Sequence, residues 1–281
     1  MTAATDSTPS LIEAHGLDLA RQGRQLLGAC SLTVRPGEAV AIVGPNGAGK
    51  SSLLRALTGE WPARGDIRLF GHPLAHWRAR RTELAQRLAV MTQQPLLNFD
   101  FRVREVVELG RLPWRGAGRA ADRAVVDAVL ERLGLSAFAE RSYLALSGGE
   151  RQRVQFARVL AQVWAAPEGG VLMLDEPTSA LDLAQQQSVL SAAMAMRQRG
   201  MAVLVVLHDL NTALAWCERA IVLSTGRIVA DGPAVEALAA PTVERVYGVT
   251  LDAALAAHRP RPILLPAIAE DPAAPATRSF R

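Results

Sequence analysis

The sequence predicts an α/β fold with a mostly parallel central sheet, and two features of the chain support this prediction. Short apolar segments, typical of strands buried on both faces, occur at residues 39–43, 88–92, 171–174 and 202–207. Segments with helical periodicity lie between them. Strands that alternate with helices assemble into a parallel sheet with helices on both faces, and functional groups then collect at the carboxyl ends of the strands.

The composition limits the classes of protein to consider. The chain has 281 residues, of which 49% are apolar, so it is long enough for one large domain or two small ones. Its 31 basic residues are nearly balanced by 27 acidic ones, which gives no indication of nucleic-acid binding. Cys30 and Cys217 are isolated and are predicted to be buried thiols. We expect no secretory signal and no membrane span, because no long apolar run is present.

The segments before the central part of the chain predict a small antiparallel flank. Strands are expected at residues 11–20 and 30–34, ahead of the first buried strand, and a nucleotide base could rest on them. The elements predicted next are a helix at 50–58, an exposed strand at 65–70 and a basic helix at 78–87.

A mostly helical block is predicted over about residues 95–160. After it, a helix at 183–199 joins the last two buried strands, and a hairpin at 221–230 turns at Thr225 and Gly226. These elements predict one domain over residues 10–250. Residues 251–281 are predicted to be a C-terminal extension that is partly disordered, because Ala, Pro and Glu dominate its end.

The loop after the first buried strand carries the most informative motif. It fits the pattern G-x-x-x-x-G-K-[ST] between a strand and a helix. Glycines let successive backbone N–H groups face a phosphate, and the helix N-terminus adds partial positive charge. Lys50 can reach the β- and γ-phosphates, and the Ser51 hydroxyl can bind Mg²⁺. The predicted nucleotide-binding residues in this loop are Gly44, Pro45, Asn46, Gly47, Ala48, Gly49, Lys50, Ser51 and Ser52.

Other buried strands also end in polar groups suited to phosphate chemistry, namely Gln93, Asp175 with Glu176, and His208. Asp175 is predicted to bind Mg²⁺, Glu176 to be the base that activates water, and His208 to reach the γ-phosphate. Taken alone, Glu176 could be an acid at a helix N-terminus, and His208 could be a core histidine. Their places at the ends of adjacent strands favour catalytic roles.

A second glycine-rich anion site is predicted at the start of another helix. This signature segment, residues 146–150, contains Ser147, Gly148, Gly149 and Glu150. Because the phosphate loop already encloses one nucleotide, the spare site is best explained if it closes over ATP held by a second copy of the chain. We therefore expect a head-to-tail homodimer with two ATP molecules in its interface, and Asp182 is expected to communicate across it.

Together, GPNGAGKS, Gln93, LSGGERQR, VLMLDEPTSALD and His208 occur in the order and spacing of an ATP-binding cassette (ABC) ATPase. The chain resembles this family over about residues 10–250. The resemblance implies a P-loop NTPase fold with an antiparallel β flank and a helical subdomain that carries the signature segment. It also implies that ATP and Mg²⁺ are the cofactors.

The same resemblance implies residue roles. The metal ligands would be Ser51, Gln93 and Asp175, with Gln93 also sensing the γ-phosphate and the membrane partner. Glu176 would be the catalytic base and His208 a switch. The chain departs from the family at Arg21, which stands where an aromatic residue usually lies beneath adenine. A guanidinium plane can also stack on a base, so Arg21 is among the predicted ATP contacts.

Within the family, residues 105–113, 153–164 and 175–186 resemble the ATPases of bacterial heme importers. This implies a peripheral protein on the cytoplasmic face of the inner membrane that drives heme uptake. Its partners would be a second copy of itself, a transmembrane permease dimer and, indirectly, a periplasmic heme-binding protein, with no nucleic acid. Importers of cobalamin or ferric siderophores are the alternative. A soluble ABC ATPase without a transport role is disfavoured, because the chain has one cassette and no long coiled coil.

Overall fold

The computed structural model describes residues 9–92, 100–114, 118–166, 169–255 and 262–266. In chain order its strands are β1 (Ile12–Arg21), β2 (Arg24–Val34), β3 (Ala39–Val43), β4 (Arg64–Leu69), β5 (His72–Pro73), β6 (Leu88–Met91), β7 (Val171–Asp175), β8 (Ala202–Val206), β9 (Arg219–Ser224), β10 (Arg227–Pro233), β11 (Leu251–Leu255) and β12 (Pro262–Pro266). The α-helices are α1 (Lys50–Leu57), α2 (Arg81–Arg87), α3 (Val103–Glu108), α4 (Arg119–Arg132), α5 (Gly148–Val163), α6 (Leu183–Ala195), α7 (Leu210–Trp216), α8 (Ala234–Ala237) and α9 (Ala240–Tyr247).

The central sheet has six strands in the order β10-β9-β3-β8-β7-β6. All neighbouring pairs are parallel except β9 and β10, which form the antiparallel hairpin at one edge. Strand β3 is buried on both faces: Val40 and Ile42 face the antiparallel flank, whereas Ala41 and Val43 face the opposite core. The predicted α/β fold with a mostly parallel sheet is confirmed.

The antiparallel flank is a second sheet in the order β2-β1-β4-β5. Helix α1 contributes Leu53 and Leu57 to the hydrophobic core that joins this flank to the central sheet. The flank and α1 therefore fix the phosphate loop, which lies between β3 and α1. Strand β2 is longer than predicted and begins at Arg24.

A helical layer formed by α3, α4 and α5 packs on the other side of the central sheet. Val106, Leu130 and Phe156 belong to one hydrophobic core that also includes residues of α6 and α7.

The predicted helix at residues 78–87 was wrong in its bounds, because a 3₁₀ helix ends at Arg78 and α2 begins at Arg81. Within the part of the chain that the structure describes, no helix is both long enough and apolar enough to cross a bilayer.

Strands β11 and β12 form an antiparallel pair that the sequence did not predict. The side chain of Asn211 on α7 accepts from Leu264 N at 2.8 Å and donates to Leu264 O at 3.1 Å. Glu244 on α9 accepts from Leu251 N at 2.8 Å. Because these contacts pair backbone groups with side chains, they attach the strand pair to the domain at α7 and α9.

Candidate active site

The phosphate loop requires glycine at two positions because of its close backbone packing. Gly44 has φ 151°, and a Cβ at this position would lie 2.2 Å from Leu223 O. Gly49 has φ 105°, and a Cβ would lie 2.8 Å from Leu26 O. Any other residue would force the loop away from β2 and β9. The glycines therefore hold the loop against the sheet while its N–H groups remain available to a ligand.

Lys50 is the charged centre of this loop. Its ammonium donates to Gly44 O at 2.7 Å and to Pro45 O at 3.0 Å, and the residue is only 6% exposed. Burial lowers the pKa of Lys50, while the carboxylates of Glu176 and Asp175 oppose that shift. A cation that is buried beside two carboxylates and N–H groups suits an anionic ligand with a bound metal ion.

A cavity of about 300 Å³ opens over the loop. It brings Glu176 to the phosphate loop, and it also includes two residues of β2, Arg24 and Leu26, that the sequence analysis did not single out. The lining residues are Arg24, Leu26, Asn46, Gly47, Ala48, Gly49, Lys50, Ser51, Ser52 and Glu176. The sequence could have indicated Arg24 as a nucleotide contact, because Arg24 directly follows the turn after β1.

Arg21, the predicted contact to the base, is not among the residues that line this cavity. Its guanidinium carbon sits 4.1 Å from the centroid of the Trp61 ring, which Arg55 also covers at 4.6 Å. Arg21 and Arg24 are paired across the β1–β2 turn, yet Arg24 is the one that lines the cavity. The position of Arg24 makes it the better candidate for contact with a base or ribose.

Asp175 and Ser51 form the part of the site that suits a metal ion. Asp175 is 4% exposed, and its Oδ1 is buried with no hydrogen-bond partner among the described residues. Burial raises the pKa of Asp175, and a hydrogen bond with Ser51 opposes this rise. A buried carboxylate oxygen without a donor beside a hydroxyl is a donor set that fits Mg²⁺, which also takes phosphate oxygens as ligands. Gln93, the third predicted ligand, lies outside the described residues.

Glu176 and His208 meet at the carboxyl ends of β7 and β8. Oε1 of Glu176 lies 2.5 Å from Nε2 of His208, whose side chain is 47% exposed, whereas that of Glu176 is 10% exposed. Glu176 adopts φ 53°, a left-handed conformation that costs a residue with a Cβ on the order of 1–2 kcal/mol. A strained, nearly buried carboxylate that faces both the phosphate loop and a histidine can accept a proton from water at that position.

The signature segment begins helix α5 and is separate from this cavity. Ser147 Oγ accepts from Glu150 N at 3.3 Å, and Glu150 Oε2 accepts from Ser147 N at 2.7 Å, which forms a capping box. The bond from Ser147 N lowers the pKa of Glu150. In the described part of the chain, the cavity lining includes none of Ser147, Gly148, Gly149 and Glu150.

Asp182 caps helix α6, where its Oδ1 accepts from Gln185 N at 2.8 Å. It follows the turn that carries Glu176. The structure thus groups the phosphate loop, Asp175, Glu176 and His208 at one edge of the sheet. The signature segment and Asp182 are not in the cavity lining, and Gly149 of the segment is in close contact with Ala180, which precedes Asp182 by two positions.

Comparisons with known proteins show the family of the chain. Residues 27–179 match the ABC transporter family. The chain is 45% identical over 256 residues to the Hemin import ATP-binding protein HmuV of Pseudomonas fluorescens (strain Pf0-1), with 91% of this chain and 99% of that one covered. It is also 45% identical over 259 residues to the Hemin import ATP-binding protein HmuV of Myxococcus xanthus (strain DK1622), with 91% and 96% covered.

Solved structures show the same fold. A structure described as the ATP binding subunit of an ABC transporter aligns with a TM-score of 0.71 at 24% identity, covering 85% of this chain and 94% of that one. The structure of cbiO1 from Clostridium perfringens, part of the ABC transporter complex cbiONQ, aligns with a TM-score of 0.70 at 26% identity and covers 84% and 93%.

Proposed function

The chain belongs to the ABC transporter family of ATP-binding proteins, and we propose that it is the ATPase subunit that drives heme uptake through a permease in a bacterial inner membrane. The observation that carries the enzymatic part is the contact between Glu176 and His208 beside the phosphate loop. The heme cargo is supported by relatives that are 44–47% identical over most of the chain and are named as hemin import proteins.

ATP would bind with its phosphates on the loop that starts at Gly44. Backbone N–H groups of the loop and the start of α1 would face the phosphate oxygens. Lys50, which is held by two loop carbonyls, would transfer its hydrogen bonds to the β- and γ-phosphates. Asp175 and Ser51 would hold Mg²⁺, which supplies positive charge to the phosphate oxygens.

Hydrolysis would begin with a water placed between Glu176 and the γ-phosphorus. Glu176 would take one proton as the water oxygen bonds to phosphorus, and the bond from phosphorus to the β,γ-bridging oxygen would break. The products are ADP and inorganic phosphate. His208 would hold Glu176 Oε1 in place, since Nε2 already lies at hydrogen-bond distance.

A second copy of the chain would complete each site. Because the signature segment lies outside the cavity of its own chain, its free position at the N-terminus of α5 suits phosphates held by a partner copy. Asp182 follows the turn that contacts Gly149 of that segment, and it would contact the same interface. Binding of ATP would close the two copies together, and hydrolysis would release them.

The permease would contact the helical layer. A cavity of about 500 Å³ lies between α3, the segment Leu109–Trp114 and α4, and its apolar lining residues are Phe101, Leu109 and Leu112. Leu112 is 46% exposed. The other lining residues are charged, and a groove that combines apolar and charged side chains suits a segment of a membrane partner. The protein would then be peripheral on the cytoplasmic face, and a periplasmic heme-binding protein would act on it only through the permease.

The test is ATP hydrolysis by the protein and its permease rebuilt in lipid vesicles. We expect heme-loaded binding protein to accelerate hydrolysis, whereas cobalamin-loaded or siderophore-loaded binding proteins should not. A complex that carries Glu176→Gln is the control for contaminating ATPases. Stimulation by cobalamin-loaded protein without stimulation by heme-loaded protein would support the ATPase assignment and reject heme as the cargo. No hydrolysis under any condition would reject the enzymatic assignment.

A further inference from the structure

Gln152 lies just inside helix α5, close to the signature segment, and its side chain reaches the turn that carries Glu176. Nε2 donates to Glu176 O at 2.9 Å and to Ser179 Oγ at 3.4 Å, while Oε1 accepts from Ala180 N at 3.1 Å. The carbonyl can only accept and the backbone N–H can only donate, so these partners fix the orientation of the side-chain amide. One side chain therefore joins α5 to both ends of the turn at residues 176–180.

The backbone that Gln152 contacts is strained. Glu176 has φ 53°, which residues with a Cβ seldom adopt, and such a conformation persists only when its surroundings hold it. Its carbonyl also accepts from Ser179 Oγ at 3.3 Å and from Ser179 N at 3.4 Å. The bond from Gln152 is the shortest of the three and the one that comes from outside the turn. Loss of this bond would let residue 176 relax and swing its carboxylate away from His208.

The signature segment also packs closely against this turn at Gly149. A Cβ on Gly149 would lie 2.9 Å from Ala180 O. On the far side of the turn, Gln186 Nε2 donates to Leu181 O at 3.0 Å. Because the interior of a protein has little free volume, a shift of the start of α5 must move the turn with it.

We propose that Gln152 is a positioning residue for ATP hydrolysis: it holds the backbone of Glu176 and ties it to the signature helix, so that the carboxylate is aimed only while α5 is in place. The inference rests on the proposed function, in which Glu176 is the base. Gln152 itself lies outside the lining of the cavity at the phosphate loop, so its effect is exerted through Glu176.

Two variants of Gln152 separate its contact with Glu176 O from its contact with Ala180 N. Gln152→Glu keeps the size of the side chain and an acceptor for Ala180 N, but it removes the donor to Glu176 O. Gln152→Met removes both. In the complex with the permease, each variant should lower kcat about 10- to 100-fold, the scale expected for a misplaced catalytic group, while the KM for ATP stays within about threefold. Gln187→Met, an exposed glutamine on α6, is the matched control and should match the wild type.

A double-variant cycle distinguishes a positioning role of Gln152 from a purely structural one. In a Glu176→Gln background the base is already absent, so adding Gln152→Met should change the remaining rate less than about twofold. Circular dichroism and thermal unfolding check the fold, and if Gln152→Met does not fold, the isosteric Gln152→Glu carries the test.

If the wild-type complex hydrolyses ATP, either of two results overturns the inference. One is a kcat within about twofold of wild type for both variants, and the other is an equal loss with and without Glu176. A wild type that hydrolyses no ATP overturns the proposed function itself, and the inference with it.

Discussion

Oε1 of Glu176 and Nε2 of His208 lie 2.5 Å apart although 32 positions separate these residues in the chain. Parallel pairing of β7 with β8 aligns Asp175 with Val206, so the residues that follow both strands emerge at the same edge of the sheet. The pairing of two strands thus places a carboxylate beside a histidine above the phosphate loop.

Replacement of Glu176 by Gln keeps the shape of the side chain and removes the base. We expect hydrolysis to fall by roughly 10²–10⁴, the range that general bases supply, while ATP still binds. Stopped hydrolysis should trap the closed state, so light scattering should detect an ATP-dependent dimer. Glu131→Gln, at an exposed position of α4, is the control. A variant that hydrolyses ATP at the wild-type rate would show that Glu176 is not the base.

Arg24 and Arg21 can be compared directly because they face each other across one turn. Arg24→Ala should weaken ATP binding about tenfold, or about 1.4 kcal/mol, since Arg24 lines the cavity. Arg21→Ala should leave the Kd within about threefold, because the guanidinium of Arg21 covers Trp61. Competition of ATP with a fluorescent analogue measures both, and the reverse ranking would return the base contact to Arg21.

Lys50 is the single lysine in the sequence, so acetylation of a lysine side chain reports on the phosphate loop alone. Acetic anhydride should modify it slowly, since the residue is 6% exposed. ATP with Mg²⁺ should reduce this labelling about tenfold or more by engaging the ammonium. Mass spectrometry of peptides measures the labelling, and the α-amino group provides an internal control. Labelling that ATP leaves unchanged would contradict phosphate binding by Lys50.

Asn211→Ala should destabilise the protein, because Leu264 loses two hydrogen bonds at a position where it is 6% exposed. The expected loss is about 1–3 kcal/mol of the free energy of unfolding. Urea unfolding measures it, with Gln187→Ala as the exposed control on a helix. Equal stability of the two variants would mean that β12 contributes little to the fold.

Tyr247 predicts a loss of stability at alkaline pH. Burial raises the pKa of Tyr247 from its ordinary value to about 12, with a smaller opposing effect from the Gly44 amide. The unfolded chain releases this proton from about pH 10, so the free energy of unfolding should fall by up to about 2 kcal/mol between pH 10 and 12. Tyr247→Phe should remove that part of the fall. Urea unfolding measures the free energy of unfolding at each pH. If it falls equally with pH in the wild type and in Tyr247→Phe, this prediction is contradicted.

The sequence by itself determined the features that depend on neighbouring residues. Gly44, Gly49 and Lys50 form a loop whose conformation and charge follow from local residue types, and Asp175 ends a strand that its own apolar pattern predicts. The fold class follows in the same way, because strand and helix periods are local.

The tertiary structure decided which distant groups meet. The choice of Arg24 over Arg21 depends on Trp61, which comes from beyond α1 and covers one of the two guanidinium groups. The contact of Gln152 with Glu176 spans 24 positions, and that of Asn211 with Leu264 spans 53. Such contacts form only when packing of the core brings separate elements together, and no local pattern in the chain encodes which side chain fills the space between them.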